Sequence, residues 1–390
     1  FGEDPYLVGV LGAAYVRGLE RAGVVATLKH FVGYSASQGG RNLGPVHVGP
    51  RELAEVLLYP FEVALREGGA RAVMPSYSEI DGVPVHGDPA ILTDLLRERW
   101  GFTGTVVADY FGVNFLQTLH GVSDGKAASG ERALLAGLDV ELPNADCFPA
   151  LADGEPSAEV LAAIDRSVRR VLELKAELGL LDEPAEQSDE PIDLNPPAHV
   201  ALARRVAEES VVLLANDGVL PLAAPRRVAV IGPNADSGAA LLGDYSFTNH
   251  VEVHHPDVEP GLRIATVLEA LRAELGGAEV THAPGCDVRE PGREGFAEAV
   301  ALASDADVAV LVVGDRSGLF GRGTVGEGCD VDSLELPGEQ RALVEAVLET
   351  GTPVVLVLVT GRPYALGWAV GRASAIVQAW FPGQEGAAAV

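Results

Sequence analysis

The sequence predicts an α/β protein in two blocks, each built from parallel strands and helices. Two observations lead to this fold class. Short runs of β-branched and aliphatic residues alternate along the chain with longer stretches whose apolar residues recur every three or four positions. The connections between these runs are short, so we expect parallel strands joined by helical crossovers in each block.

The first block contains four strand–helix units. Its predicted elements are, in order, strand 24–31, helix 51–66, strand 72–77, helix 89–100, strand 105–110, helix 126–137, strand 139–142 and helix 158–178. Four such units fit either half of an eight-stranded barrel or most of a doubly wound sheet. Periodicity alone leaves both architectures open.

A stretch rich in Asp, Glu, Pro and Ser follows, and this composition is typical of a linker. The second block then shows strands at 227–232, 280–284, 308–314, 353–360 and 375–381, with helices at 266–275, 292–303 and 339–349. This pattern predicts a three-layer α/β/α sandwich with a mostly parallel sheet. The expected domain limits are 1–180 for the first domain, 181–206 for the linker and 207–390 for the sandwich.

Composition excludes several classes of function. The 390 residues include 28 basic and 56 acidic ones, a formal charge of −28, which would repel nucleic acid and anionic membranes. The longest apolar run, 353–360, is too short to cross a bilayer. Cys147, Cys286 and Cys329 are scattered, so neither a disulfide framework nor a paired metal-ligand spacing is expected. After these exclusions, the composition fits a protein that acts on a small uncharged or cationic substrate. It does not decide whether the protein forms a homo-oligomer.

Both ends of the chain carry information. The sequence begins with Phe1-Gly2-Glu3 rather than Met and stops at Val390 inside a stretch that reads as a helix. We therefore expect a fragment cut at both ends, so the lack of a signal peptide does not reveal the compartment. Cytoplasm and export both remain open, and the cytoplasm is favoured.

Polar residues stand where predicted strands end, which is where parallel α/β folds place reactive groups. Lys29 and His30 close the first strand, in a chain with only three lysines. Asp109 directly follows the β-branched run of the third strand, and a carboxylate there is costly to desolvate unless it is paired. Two simpler interpretations remain: a solvated Lys-His pair, and an Asp that caps the next helix.

Other candidates are weaker when taken singly. Arg41 lies in a glycine-rich loop, where a surface charge is the commoner role. Met74 and Tyr77 stand at the end of the second strand, where packing is the commoner role. Glu327, flanked by glycines in a long loop after strand 308–314, has the reach expected of a group that extends across an interface, although most loop glutamates are simply solvated.

Taken together, these segments resemble glycoside hydrolase family 3, in its β-glucosidase and β-xylosidase branch. The resemblance rests on an ordered series across nearly the whole chain: Phe1-Gly2-Glu3-Asp4-Pro5, Lys29-His30-Phe31, Met74-Pro75-Ser76-Tyr77, Trp100-Gly101-Phe102-Thr103-Gly104, Val107-Ala108-Asp109-Tyr110, Ala136-Gly137-Leu138-Asp139, Gly326-Glu327-Gly328, Leu336-Pro337-Gly338-Glu339-Gln340 and Pro382-Gly383-Gln384-Glu385-Gly386. It implies a partial (β/α)8 TIM-type barrel followed by an α/β/α sandwich.

The resemblance also implies roles for single residues. The nucleophile falls on Asp109 and the general acid/base on Glu327. The substrate-binding positions fall on Lys29, His30, Arg41, Met74, Tyr77 and Tyr110. Tyr110 stands where the glucosidases often have Trp, which leaves room for a different sugar or aglycone.

The implied activity is retaining exo-hydrolysis of terminal β-D-glucosyl or β-D-xylosyl residues from oligosaccharides or β-glycosides, with no cofactor and no metal. Such an enzyme needs two carboxyl groups flanking the anomeric carbon, about 5–5.5 Å apart. A glycoside phosphorylase and a catalytically inactive sugar-binding homologue remain as alternatives. The N-acetylglucosaminidase branch is disfavoured, because residues 32–41 contain neither the His nor the Asp that it carries after the Lys-His pair.

Overall fold

The structure, a computed structural model, describes residues 2–182, 192–251, 254–255, 257–258 and 261–390. The chain divides into two compact units, Phe1–Asp189 and Glu190–Val390. Within the described ranges, no helix combines the length and the hydropathy that crossing a lipid bilayer requires.

The first unit alternates strands and helices as predicted. Its strands are β1 (Thr27–Phe31), β2 (Ala72–Pro75), β3 (Glu79–Ile80), β4 (Val83–Pro84) and β5 (Thr105–Val106). Its α-helices are α1 (Pro5–Arg21), α2 (Pro50–Glu52), α3 (Tyr59–Val63), α4 (Gly112–Thr118), α5 (Lys126–Ala136) and α6 (Ala158–Glu177). Further helical segments are Leu53–Leu57, Ala64–Gly68 and Ala90–Arg99 with π-type bonding, and the 3-10 turns Tyr34–Ala36, Gln38–Gly40, Val85–Gly87 and Pro149–Asp153.

A parallel sheet in the order β1-β2-β5 forms the centre of this unit. A fourth segment continues it through a parallel bridge between Val107 and Val140, where the sequence predicted a full strand. Phe31, Val73 and Val106, one from each strand, are fully buried in a single apolar core. Burying such side chains between the sheet and its helices is the main favourable contribution to the stability of the unit.

The buried carboxylate of Asp139 ties three parts of this unit together. Arg97 Nη2 donates to Asp139 Oδ2 over 2.6 Å, and Arg170 Nη1 donates to Oδ1 over 2.8 Å. The backbone N–H of Val106 also donates to Oδ2, over 2.8 Å. A helical segment, helix α6 and strand β5 are therefore fixed to one side chain, which explains why an Asp occupies this buried position.

A two-stranded hairpin, β3–β4, follows strand β2 and was not predicted from the sequence. Its turn is Asp81-Gly82, with φ of 50° and 86°, the left-handed pair that tight hairpins favour. The backbone N–H of Val85 then donates to the carbonyl of Ser78 over 3.2 Å. The hairpin thus returns the chain to the end of β2 and delivers His86 there.

The second unit is built on one six-stranded sheet. Its strands are β6 (Val212–Asn216), β7 (Arg227–Ile231), β8 (Glu279–Ala283), β9 (Val308–Gly314), β10 (Val354–Val359) and β11 (Ala375–Gln378), in the order β6-β11-β10-β9-β7-β8. All pairs are parallel except β6–β11. The helices are α7 (Pro197–Ser210), α8 (Phe247–His250), α9 (Val267–Glu274), α10 (Phe296–Ser304), α11 (Gln340–Leu348) and α12 (Gly386–Ala389), with a 3-10 turn at Ala239–Leu241.

Both faces of this sheet are buried, because alternate residues of each strand point to opposite sides. In β9, Leu311 packs in one core with Leu343 of α11, whereas Val310 packs in the other core with Leu268 of α9. The predicted fold class is therefore confirmed in its sandwich part.

Several elements differ from expectation. Helix α7 begins at Pro197, inside the stretch expected to be a linker, because two successive prolines end the extended segment and one of them opens the helix. The part of that linker from 183 to 191 lies outside the described residues. Helix α1 and edge strand β6 were not predicted; Asp4 caps the former through a 2.8 Å bond from the N–H of Leu7.

Candidate active site

Asp109 stands where strand β5 and its continuation end. The preceding Ala108 is fully buried, while the side chain of Asp109 keeps about 14% of its surface exposed. Phe111, at φ 64°, then turns the chain abruptly into helix α4. The carboxylate is therefore presented at the edge of the sheet rather than inside the core.

Each carboxylate oxygen of Asp109 has its own partner. Oδ1 accepts a hydrogen bond from the backbone N–H of Tyr110 over 2.7 Å. Oδ2 lies 3.3 Å from Nε2 of His30, near the end of strand β1. The His30 ring in turn stacks on Tyr34, with ring centroids 4.7 Å apart. The carboxylate is thus oriented by groups on two different elements.

A second histidine, His86, is hydrogen-bonded to the backbone of Asp109. The N–H of Asp109 donates to His86 Nε2 over 3.2 Å, and Nδ1 lies 3.0 Å from the carbonyl oxygen of Ser76. Only 2% of His86 is exposed. Burial lowers its pKa to about 4, although the nearby Asp109 charge opposes that shift. The ring is therefore neutral near pH 7.

Tyr77 and Tyr110 complete the surroundings of Asp109. The hydroxyl of Tyr77 donates to the carbonyl oxygen of Tyr110 over 2.7 Å, which fixes the segment after the carboxylate. Nε2 of His120 lies 3.1 Å from the carbonyl of Tyr77. Tyr110 as a whole is 55% exposed. Met74, on strand β2, is half-buried.

Lys29 and Arg41 lie on different elements, one on β1 and the other in the loop that follows it. Lys29 is exposed on β1 and, together with His30 and Tyr34, lines a cavity of about 640 Å³. Arg41 is exposed in the loop after β1, and its Nε donates to the carbonyl of Gln38 over 3.2 Å. The structure thus brings His30, Tyr77, Asp109 and Tyr110 together, and places Arg41 in its own loop.

In the second unit, Glu327 lies on the long loop that follows β9. The hydroxyl of Tyr245 donates to Glu327 Oε2, and the backbone N–H of Glu327 donates to Asp244 Oδ2 over 3.1 Å. Gly326 precedes it at φ 123°, and a Cβ there would come within 2.2 Å of the carbonyl oxygen of Gly318. Only glycine fits this close approach, so the position of Glu327 depends on it.

A buried carboxylate anchors the base of this loop. Asp315, fully buried at the end of β9, accepts hydrogen bonds from the Thr324 hydroxyl (2.6 Å), the Tyr364 hydroxyl (2.5 Å) and the N–H of Gly361 (3.0 Å). Burial raises the pKa of Tyr364 and keeps it protonated as a donor. Residues 320–322 and 330–334, between and beyond these contacts, are exposed.

Sequence reasoning missed His86, Asp244 and Tyr245. His86 follows an ordinary Val-Pro-Val run, and nothing in that pattern distinguishes it from a surface histidine. Asp244 and Tyr245 precede Glu327 by more than eighty positions in the chain, as the hydrogen-bond separations of 83 and 82 show. Only the tertiary structure brings them to the carboxylate.

Comparison with known proteins places the chain in a family. Residues 1–174 match the model of the glycosyl hydrolase family 3 N terminal domain, and residues 211–390 match that of the C-terminal domain. A β-xylosidase from Formosa agariphila is 34% identical and aligns with all of this chain and 55% of its own length. A periplasmic β-glucosidase from Salmonella typhimurium is 32% identical, with 100% and 53% covered.

A solved structure of a β-glucosidase is also similar to this chain. The β-glucosidase structure from Erythrobacter marinus superposes with a TM-score of 0.86 at 36% identity, covering 100% of this chain and 55% of that one. The chain thus spans about half the length of the relatives it matches. Because both domain models match in order and together cover most of the sequence, the chain belongs to glycosyl hydrolase family 3.

Proposed function

We propose that the full-length protein is a retaining exo-β-glycosidase that removes terminal β-D-glucosyl or β-D-xylosyl residues by double displacement. The observation that carries this proposal is the position of Asp109. Its carboxylate stands at a sheet edge, with one oxygen held by the Tyr110 N–H and the other facing His30. The relatives named above as a β-xylosidase and a β-glucosidase support the same substrate class.

Asp109 acts as the nucleophile in this proposal. One carboxylate oxygen attacks the anomeric carbon, the bond to the leaving oxygen breaks, and a glycosyl ester forms on Asp109. The Tyr110 N–H and His30 hold the carboxylate so that it meets the sugar in one orientation. Such fixed geometry lowers the barrier because little motion must be frozen during the reaction.

Glu327 acts as the general acid and then as the general base. Its carboxyl proton passes to the leaving oxygen in the first step; in the second, Glu327 takes a proton from the water that attacks the ester. Tyr245 and Asp244 give this side chain and its backbone fixed partners.

The sugar-binding roles are assigned by the same proposal. The residues that would contact the glycone are Lys29, His30, Arg41, Met74, Tyr77 and Tyr110. Lys29 and His30 line the cavity beside β1, and Tyr110 is exposed. Lysine and histidine donors fit sugar hydroxyls, whereas an exposed aromatic ring fits an apolar sugar face or an aglycone.

The first test measures initial rates of the full-length protein on aryl β-D-glucoside, β-D-xyloside and N-acetyl-β-D-glucosaminide. Turnover of the first or second, with retained anomeric configuration, supports the proposal. Phosphate-dependent release of a sugar phosphate would instead identify a phosphorylase. Binding of glycosides without turnover would identify an inactive sugar-binding protein.

Two variants test the roles of the carboxylates. Asp109→Ala should lose turnover by more than about a thousandfold. Glu327→Ala should lose about 10²- to 10⁴-fold on alkyl glycosides but far less on dinitrophenyl glycosides, whose leaving group needs no proton. Glu335→Ala, an exposed carboxylate paired with Arg341, serves as the control. Equal losses on both substrates in Glu327→Ala would refute the acid/base role.

A further inference from the structure

His86 is a buried histidine that the proposed chemistry does not use. It follows hairpin β3–β4 and lies beside Asp109, buried near the ends of β2 and β5. It bridges two strand ends, through Ser76 after β2 and Asp109 after β5. The ring of Tyr77 covers it at 6.2 Å between centroids, nearly parallel at 20°.

The two hydrogen bonds of His86 fix its tautomer. A backbone N–H can only donate, so Nε2 must accept from Asp109 and carries no proton. The Ser76 carbonyl can only accept, so Nδ1 must carry the proton. The ring is therefore a neutral Nδ1–H imidazole on geometric grounds, and each nitrogen is matched to one backbone group.

The surrounding backbone is shaped to admit this ring. Gly112, at the start of helix α4, has no side chain, and a Cβ there would lie 2.2 Å from His86 Nε2. The same turn is closed by the Gly112 N–H, which donates to the carbonyl of Asp109 over 2.9 Å. His86 and Gly112 thus hold the N–H and the C=O of the same residue.

We infer that His86 is a positioning residue for Asp109: its Nε2 lone pair fixes the Asp109 backbone and so aims the carboxylate at the anomeric carbon. This inference rests on the proposed function, because it assigns a purpose to the orientation of the nucleophile. Only 2% of His86 is exposed, so its ring offers almost no surface to a sugar. Its contribution therefore lies in the rate of the covalent step rather than in the affinity for the glycone.

The test uses covalent trapping of the full-length protein. A dinitrophenyl 2-deoxy-2-fluoro-β-glycoside of the preferred sugar forms an ester between Asp109 and the anomeric carbon as dinitrophenolate leaves. The trapping rate at saturating reagent reports how well the Asp109 carboxylate is oriented for attack. The inhibition constant of a reversible iminosugar reports the affinity for the glycone. His86→Leu removes the acceptor, whereas His86→Gln retains an amide oxygen and an amide N–H.

His86→Leu should slow trapping by about 10- to 100-fold. Its iminosugar inhibition constant should change by less than about threefold, and His86→Gln should recover most of the trapping rate. Gly112→Ala should resemble His86→Leu although it keeps the imidazole, because the added Cβ displaces the ring. Gly154→Ala, whose Cβ would meet nothing within 4 Å, is the control.

Two results would overturn the inference: trapping of His86→Leu at the wild-type rate, or equal losses in trapping and iminosugar affinity. If His86→Leu does not fold, trapping of Gly112→Ala as fast as Gly154→Ala would overturn it in the same way. Failure of the wild-type protein to be labelled at Asp109 overturns the proposed function, and the inference with it. Labelled wild type with unaffected variants overturns the inference alone.

Discussion

Replacing Asp139 by Asn should strongly destabilise the first unit. Asp139 is the carboxylate that accepts from Arg97, Arg170 and the N–H of Val106. Its side chain is fully buried, and that of Arg97 is only 8% exposed. Burial lowers the pKa of Arg97, and the charge of Asp139 opposes this shift. An amide keeps the shape of the side chain but removes the charge that compensates the buried guanidinium.

The expected magnitude follows from that burial. Removing one partner of a buried ion pair costs about 3–5 kcal/mol, because the other charge stays desolvated without compensation. An exposed pair contributes only about 0–1 kcal/mol. Asp305 and Arg227 form such a pair at 2.7 Å, with side chains 77% and 47% exposed, against 2.6 Å for Asp139 and Arg97. The two ion pairs are similarly short and differ most in burial, although Asp139 also accepts from Arg170 and the N–H of Val106, and Asp305 lies in the second unit.

Calorimetric melting of the wild type, Asp139→Asn and Asp305→Asn tests this difference. For a unit of this size, each kcal/mol shifts the midpoint by about 2–4 °C, so Asp139→Asn should lower it by about 6 °C or more. Asp305→Asn should shift the midpoint of the second unit by no more than about 4 °C. Comparable small shifts in both variants would show that burial does not set the strength of the Asp139 pair.

Two further predictions concern the histidine and the glycine beside the proposed catalytic carboxylates. Because burial lowers the pKa of His86 from 6.5 to about 4, the unfolded chain takes up a proton first as pH falls. The free energy of unfolding should therefore fall by about 3 kcal/mol between pH 6.5 and 4 in the wild type. His86→Gln has no such group, so its melting temperature should fall less over this pH range. Parallel curves of melting temperature against pH for the two proteins would contradict this prediction. Gly326→Ala should lower turnover of alkyl glycosides more than that of dinitrophenyl glycosides, because it displaces Glu327; equal rates in the variant and the wild type would argue against that dependence.

Much of the fold could be predicted from local patterns. Strand β9 has the bounds expected from its apolar run, and most other paired elements differ by a few residues at their ends. Hairpin β3–β4 was missed because two-residue strands carry too little periodicity to detect. The fourth strand of the first unit proved to be a single bridge between Val107 and Val140. Leu142 accepts one further backbone bond, from the N–H of Phe111 over 2.8 Å.

The candidate site was only partly accessible to sequence reasoning. The strand-end positions of His30 and Asp109 follow from where the β-branched runs stop, and the structure brings these two side chains within 3.3 Å. The partners His86 and Tyr245 could not be deduced. His86 accepts from the backbone N–H of Asp109 after a hairpin returns the chain to that point, and Tyr245 donates to the Glu327 carboxylate from a segment 82 positions earlier in the chain.

The anchoring of the loop that carries Glu327 suggests where this protein can be redesigned. Asp315 fixes the base of the loop through buried contacts, while residues 320–322 and 330–334 face solvent. Insertions or exchanges confined to those exposed stretches should leave the sandwich core intact, since loop lengthening costs little free energy. Residues 330–334 are the better place for a library, because the backbone N–H of Phe320 donates to the carbonyl of Glu327 over 2.7 Å.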